Sequence, residues 1–226
     1  MINNIKKYLH KLYFEIIYFH ELMLIRSYCS SYKISSYTIY SDLSVDITSN
    51  NGFVNVDFSK IPFKINAFYG DIASSNTKSF ENYPKYVYGS LLHNNCCQLT
   101  SLIGSPIEIH GSFNLDRCNI SSLDGSPRKI TGNFDLERNV LSELKGCPKY
   151  VGGDFNIEKN RVTTLHELNT DIGGRLLISN NYLPYEMQQY KRFNHIISKE
   201  YLMYKLWMSD GTFNKGRFEF FKNDFD

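Results

Sequence analysis

One segment of sequence is repeated several times between Pro84 and Pro184, and this repetition restricts the possible folds more than any other feature. Successive units begin at Pro106, Pro127 and Pro148, which are 21 residues apart. Two other columns keep their chemical type from unit to unit, one of glycine (Gly111, Gly132, Gly153, Gly174) and one of large apolar residues (Phe113, Phe134, Phe155, Leu176). A repeat of this length predicts a solenoid, because a single unit cannot bury its own apolar face and must pack on its neighbours.

Each unit is predicted to contain a short strand, a bend and a return segment. Phe113 and Leu115 alternate with polar residues, which predicts a strand that turns both side chains into the core. Ile120 and Leu123 are expected to be buried from the return side, after which an Asp-Gly-Ser-Pro turn closes the unit. Proline recurs in every unit and no helical period is present, so we expect an extended or 3-10 outer side. The strands should stack in parallel as one continuous sheet.

These columns resemble the leucine-rich repeat, over about half of the chain. The signature Leu-x-x-Leu-x-Leu-x-x-Asn/Cys-x-Leu falls on Ile130, Phe134, Leu136, Asn139 and Leu141, with one extra residue between the first two positions. It falls likewise on the preceding unit (Ile109, Phe113, Leu115, Cys118, Ile120) and on the following one (Val151, Phe155, Ile157, Asn160, Val162). In that family the Asn/Cys position forms a ladder of buried side chains bonded to adjacent turns. The resemblance therefore implies a structural ladder of Cys118, Asn139, Asn160 and Asn181.

The short unit looks most like the compact repeats of phage, large-virus and bacterial proteins. Together with the residue patterns of the chain, the resemblance predicts an α+β fold: a leucine-rich-repeat-like solenoid with a parallel β-sheet face, an extended or 3-10 outer side and helical caps at both termini. It also implies non-catalytic protein binding along the strand-lined face. A viral origin would make a host factor in the host cytoplasm the natural partner.

The N-terminal residues, 1–34, are predicted to form a capping helix from Asn3 to about Ser27. Its apolar residues recur at alternating spacings of four and three (Ile5, Leu9, Leu12, Ile16, Phe19, Met23). Tyr13, Ile17 and Leu24 widen this stripe, so we expect it to pack on a sheet or on the solenoid end rather than to dimerise. Lys11 and Glu15 argue against a membrane-spanning helix.

Three further segments complete the predicted organisation. Residues 35–61 form a β-rich entry, whose two alternating runs are joined by a turn at Asn50-Asn51-Gly52. Residues 62–184 form the repeats, each 21 or 22 residues long. Residues 185–226 form a C-terminal helical cap, with a helix from Tyr185 to Trp207 and a short aromatic helix around Phe218. Helices at both termini are expected to cover the open ends of the solenoid.

Charged residues form two neighbouring columns on the predicted sheet. One is acidic (Asp116, Glu137, Glu158) and the other basic (Arg117, Arg138, Lys159), beside a small polar column (Asn114, Asp135, Asn156). We predict that these nine residues form the partner-binding face, with each acid near a base of its own or the next turn. The alternative is a solvated surface whose charges compensate, with exposed pairs worth less than about 1 kcal/mol each.

The chain has few candidates for catalytic or metal-binding residues. Six histidines are scattered without a nucleophile motif, and five cysteines lack the spacing of a zinc site, so we expect no enzyme, no cofactor and no metal. A net charge of +2 argues against nucleic acid. The cysteines indicate reduced thiols, and we expect a cytoplasmic monomer that binds a protein and no membrane. Two alternatives remain: an assembly component that self-associates through the solenoid ends, and an enzyme with a site near His195 and Tyr201.

Overall fold

A parallel β-solenoid of about six turns forms the centre of the computed structural model, which describes residues 2–32, 34, 36–49, 53–190 and 205–225. The first sheet has eight strands: β1 (Ser36–Ile39), β2 (Val45–Thr48), β4 (Ile65–Tyr69), β6 (Tyr86–Val87), β8 (Glu108–Ile109), β10 (Lys129–Ile130), β12 (Tyr150–Val151) and β14 (Asp171–Ile172). The second has seven: β3 (Phe53–Val54), β5 (Ile72–Ala73), β7 (Leu91–Leu92), β9 (Phe113–Asn114), β11 (Phe134–Asp135), β13 (Phe155–Asn156) and β15 (Leu176–Leu177). Neighbouring strands are parallel except β1 and β2, which form an antiparallel pair.

Helical segments flank the solenoid on both sides. They are α1 (Ile2–Ser31) before it, and α2 (Tyr185–Gln189) and α3 (Lys215–Phe225) after it. A 3-10 turn at Phe58–Lys60 lies within the solenoid, between β3 and β4. The prediction of a parallel solenoid with an N-terminal and a C-terminal helix is confirmed in this general form. The predicted turn at Asn50-Asn51-Gly52, and residues 191–204 of the predicted helix after Tyr185, lie outside the described residues.

Each turn carries two short strands where the sequence predicted one. Ile109 belongs to β8 in the first sheet, whereas Phe113 belongs to β9 in the second. The extra residue between these two apolar positions is accommodated by a corner at Gly111. Gly132 stacks on it and donates its N–H to the Gly111 carbonyl at 2.9 Å. A Cβ on Gly132 would lie 2.8 Å from the Gly111 carbonyl carbon, so only glycine allows the turns to approach this closely.

The core is a stack of identical side chains from successive turns. The Phe113 and Phe134 rings lie parallel with centroids 5.3 Å apart, and Phe155 continues the stack at 5.2 Å. Leu115 and Leu136 beside them are also fully buried. Parallel pairing in strict register places each side chain over its equivalent in the next turn, so the 21-residue period becomes one continuous core.

The turn that closes each unit has the geometry its sequence predicts. Ser126 donates its N–H to the Leu123 carbonyl at 2.9 Å, and Gly125 has φ +86°. A positive φ at the third position defines a type II turn, which favours glycine there. Gly104 and Gly146 have the same conformation one turn before and one turn after.

The N-terminal helix contacts the solenoid only near its C-terminal end. Ile25 and Cys29 are buried and belong to the same hydrophobic core as the stacked phenylalanines. By contrast, residues 6–20 of α1 are all exposed, so the prediction that the stripe containing Leu9, Ile16 and Phe19 packs on a sheet or on the solenoid end is wrong for these residues. At the other end, Met187 of α2 and Phe218 and Phe221 of α3 are buried in that core.

The glycine corner generates a stability prediction. Gly132→Ala should lower the free energy of unfolding by about 1–3 kcal/mol, because the new methyl group meets backbone of the preceding turn. Gly216→Ala is the matched control, because the atom nearest to the new methyl group would be Asn214 Oδ1 at an ordinary contact distance of 3.5 Å. Alanine should raise the stability of helix α3 by about 0.5 kcal/mol. Urea unfolding monitored by circular dichroism measures both. Equal stability of the two variants would contradict the close approach of the corners.

Candidate functional site

The six charged residues predicted for the partner-binding face lie at one border of the second sheet. They are Asp116, Arg117, Glu137, Arg138, Glu158 and Lys159, and we call this set the charged edge. Each acid and the base next to it come after a strand of the second sheet, and one buried core residue separates them from the end of that strand. At this point the chain turns towards the return side. The charged edge therefore borders the sheet and is not part of its flat surface.

Acids and bases of successive turns are joined into a zigzag of ion pairs. Arg138 Nη1 lies 3.3 Å from Asp116 Oδ1 and 3.0 Å from Glu137 Oε1. Lys159 Nζ contacts the same Glu137 oxygen at 2.6 Å, and Arg117 Nη1 lies 3.6 Å from Asp116 Oδ2. Each of these two carboxylates thus bridges bases of two turns. Within the described part of the chain, Glu158 has no ion pair within 4 Å.

The bases of the charged edge reach further into solvent than the acids. The side chains of Asp116 and Glu137 are 16% and 18% exposed, whereas those of Arg117, Arg138 and Lys159 are 53%, 37% and 42% exposed. An approaching molecule would therefore meet three cations in a row, spaced by about one strand separation of 4.8 Å. The accessible charge of this border is basic although the summed charge is balanced.

All three bases occupy a left-handed backbone conformation. Arg117, Arg138 and Lys159 have φ values of +55°, +56° and +54°. The equivalent residues in the flanking turns, Asn95 and Asn180, have φ +61° and +59°. Asparagine tolerates this conformation, whereas other L-residues lose roughly 1 kcal/mol or more in it. The three central turns therefore carry long basic side chains where asparagine would be more favourable for the backbone.

The small polar column of the predicted face shapes this turn. Asn114 and Asn156 accept hydrogen bonds from the N–H groups of Asp116 and Glu158 at 2.9 and 3.0 Å. Asp135 accepts from the Glu137 N–H at 2.9 Å. Burial raises the pKa of Asp135, whose carboxylate is directed to the backbone. These three side chains therefore position the charged edge from within the second sheet.

The asparagine column lies inside the solenoid, behind the charged edge. Asn160 Oδ1 accepts from the Leu141 N–H at 3.0 Å, and its Nδ2 donates to the carbonyls of Leu136 at 2.9 Å and Ile157 at 3.0 Å. Asn139 and Asn181 make the equivalent bonds in their own turns. These bonds satisfy backbone groups that the left-handed corner leaves without strand partners.

Cysteine replaces asparagine at the first positions of this column. The Cys118 thiol donates to the His93 carbonyl at 3.1 Å. Cys96, which the sequence analysis did not include, donates to the Ser74 carbonyl at 3.3 Å in the preceding turn. Cys96 stands 22 residues before Cys118, and this spacing could have placed it in the column from the sequence. Both thiols are buried, and hydrogen bonding with Cys96 together with burial raises the pKa of Cys118.

A second polar column, at the corner between the two sheets, was not recognised as structural from the sequence. Asn133 accepts from the Asp154 N–H at 2.9 Å, and Asp154 accepts from the Arg175 N–H at 2.8 Å. Ser112 and Ser90 do the same in earlier turns. Arg175 also pairs with Asp154 at 2.8 Å, which lowers the pKa of that carboxyl. This column could have been recognised from the short polar residue that stands one place before β5, β7, β9, β11 and β13.

A buried histidine interrupts the core of the first regular turns. His93 occupies the column of Leu115 and is fully buried. Its Nδ1 lies 3.3 Å from the Ser74 carbonyl, which can only accept, so this nitrogen carries the proton of the neutral ring. Nε2 then accepts from the Tyr83 hydroxyl at 3.1 Å. Burial lowers the pKa of His93 to about 4, so the ring is neutral at pH 7.

Several cavities lie among the described residues, and one of about 400 Å³ has Lys78, Cys96 and Cys97 in its lining. The cavity beside α2, about 200 Å³, has no titratable side chain among its described lining residues (Ile178, Ser179, Asn180, Asn181, Leu183, Met187, Gln188). A cavity of about 300 Å³ beside Tyr83 includes Asp57, but hydrogen bonds from Ser59 lower the pKa of that carboxyl. His195 and Tyr201, named for the enzyme alternative, lie outside the described residues.

Two further findings apply to the described residues only. No group of three or more histidine, cysteine or acidic side chains in them is arranged to hold a metal ion. None of their helices combines the length and the apolar character that crossing a bilayer requires.

His93 generates a pH prediction. The unfolded histidine titrates near 6.5, above its folded pKa of about 4, so the unfolded state takes up the proton first as pH falls. The stability contributed by the neutral ring is complete above pH 6.5 and is lost progressively towards pH 4, by up to about 3 kcal/mol. His93→Leu should remove this loss. The difference in unfolding free energy between variant and wild type, measured by urea unfolding from pH 7 to pH 4, should grow on acidification; parallel curves would contradict the assignment.

Comparison with protein-family models, curated proteins and solved structures found no match. The resemblance to leucine-rich repeats is therefore carried by the residue columns of the chain alone. On the surface of the chain, the charged edge joins acids and bases of three successive turns.

Proposed function

We propose that this chain is a non-catalytic protein-binding module and that its partner docks along the second sheet and the charged edge. The exposed bases of Arg117, Arg138 and Lys159 suit an acidic segment of the partner, laid across successive turns. Repeat proteins use such rows because each turn adds one more equivalent contact along an extended surface. Complementary charge of this kind favours fast association and selects against basic partners.

The left-handed backbone of the three bases is the observation that carries this proposal. Each base loses roughly 1 kcal/mol relative to asparagine at the same position. The ion pairs it makes join a partly buried carboxylate to a more exposed base and are worth about 1 kcal/mol each. Stability therefore offers little reason for arginine and lysine at these positions, and recognition of an acidic partner offers one.

We also propose that the solenoid is a divergent leucine-rich-repeat-like array. The buried Asn139, Asn160 and Asn181, with Cys118 before them, support this relationship. The second strand in each turn is a departure from the single sheet of that family. From the repeat type we also propose that the chain is a viral protein whose partner is a host protein. Its location would then be the host cytoplasm.

Removal of the three bases tests the docking surface. The triple variant Arg117→Asn, Arg138→Asn and Lys159→Asn deletes three charges while placing the preferred residue at each left-handed position. Its unfolding free energy should change by no more than about 1 kcal/mol, because the improved backbone offsets the lost ion pairs. Capture of cytosolic proteins by the immobilised chain, quantified by mass spectrometry, should lose the proteins that bind the wild type.

The control carries the same change of charge at another surface. Lys85, Arg128 and Lys149 are exposed bases that precede strands of the first sheet, in a column where Ile107 stands between Lys85 and Arg128. The triple variant Lys85→Asn, Arg128→Asn and Lys149→Asn should capture the same proteins as the wild type. Equal loss from both variants would show a general effect of net charge, and unchanged capture by the first variant would show that the charged edge is not the docking surface.

A further inference from the structure

Helix α1 attaches to the solenoid by one side only. Ile25 and Cys29 are buried, and Glu21, Leu22 and Tyr28 are half-buried. At 100° per residue these five residues cluster on one side of the helix. The remaining residues of α1 from Lys6 onwards are exposed.

The opposite side of α1 carries an uncovered apolar seam. Leu9, Leu12, Ile16, Phe19 and Met23 are 56%, 40%, 60%, 62% and 48% exposed. The centre of this seam lies roughly 160° around the helix from the centre of the attached side, at 100° per residue. The seam therefore points away from the solenoid even beside Ile25, where the helix is attached, and none of the described residues covers it.

The spacing of the seam is that of a coiled coil. Its residues follow one another at intervals of three, four, three and four, which is the 3.5-residue period of a helix that packs against another helix. Arg26 and Ser30 occupy the next two positions of the pattern, so the seam ends at Met23. We propose that two copies of this chain pair through this seam, with their α1 helices parallel.

The polar side chains beside the seam favour the parallel arrangement. Glu15 precedes Ile16 on one flank, and His20 follows Phe19 on the other. In a parallel pair, the residue before one seam position lies near the residue five places later in the partner helix, so Glu15 of each copy meets His20 of the other. In an antiparallel pair centred on the seam, Glu15 would face its own copy, which is repulsive.

The geometry and the area are also compatible with a pair. Because the attached side of α1 is opposite the seam, two paired helices would hold the two solenoids on their outer sides without collision. Five seam residues with their flanking side chains on each helix would bury on the order of 1,200 Å² in total, the lower limit for a specific interface. Affinity in the micromolar range is expected for such an interface.

A membrane surface is the competing occupant of the seam. Helices that lie on membranes have a polar face rich in lysine and arginine. In α1 the exposed residues outside the seam include Glu15 on its flank, paired with Lys11, and large apolar side chains such as Phe14 and Tyr18. This mixed surface fits a protein partner better than an anionic bilayer.

Sedimentation equilibrium tests the pair. The full chain should have twice the mass of one copy at about 50 µM and dissociate on dilution below about 1 µM, as micromolar affinity requires. Ile16→Lys places a charge in the seam and should give a single copy at both concentrations. Phe14→Lys is the matched control, since Phe14 is 57% exposed, close to the 60% of Ile16, but lies off the seam. It should behave as wild type.

Two results would overturn the pairing. One is a single copy for the wild type at about 50 µM, where a micromolar interface must be occupied. The other is an undisturbed pair in Ile16→Lys. A single copy that also sediments with vesicles of equal parts phosphatidylcholine and phosphatidylserine, and loses this binding in Ile16→Lys, would assign the seam to a membrane instead.

A cross-link tests the parallel arrangement separately. Leu9→Cys is made in a Cys97→Ser background, because Cys97 is an exposed thiol. In the parallel pair the two new cysteines face each other and should form a disulfide on mild oxidation. In the centred antiparallel pair they would be about 21 Å apart along the axis, at 1.5 Å per residue. A pair that persists without the cross-link would overturn the parallel arrangement.

Discussion

Stacking of each turn on the next in strict register is the constraint on which the whole structure depends. A single turn contributes two strands of two residues, too short to be stable alone, and one layer of core side chains. Both are completed by the neighbouring turn, where Phe134 lies over Phe113 and its backbone is paired with equivalent residues. Glycine at the corner allows the approach, and buried asparagine satisfies the backbone where the strands end. Polar and apolar columns therefore share one period, because a shift in the register of one turn on the next would expose apolar side chains and bury polar ones.

The same repetition builds the surface that we propose for binding. Asn114, Asp135 and Asn156 each hold the N–H of the acid two residues later, so one local turn is copied three times. The copies place the bases of the charged edge in a row on left-handed backbone. A flexible loop could present similar charges, but each would lose conformational entropy on binding. Here the solenoid fixes the turn beneath the bases before a partner arrives.

Helix α1 gives the molecule a second surface of a different kind. Its apolar seam is directed away from the core, whereas Ile25 and Cys29 join the core from the opposite side. We propose polar recognition along the charged edge and apolar pairing through the seam. In a paired molecule, two solenoids would present two charged edges together, which raises the effective affinity for a partner with two acidic segments.

The sequence by itself determined the solenoid, its period and its inward columns, because Phe113, Leu115 and their equivalents repeat at a spacing that only stacked turns can bury. It also predicted the closing turn at Gly125, where positive φ favours glycine locally. Only the tertiary structure decided that each turn bends at Gly111 into two sheets, since this bend depends on the approach of the neighbouring turn. It likewise decided which side of α1 is attached. A helical period shows that a stripe exists, whereas the surface that meets it depends on where the rest of the chain lies.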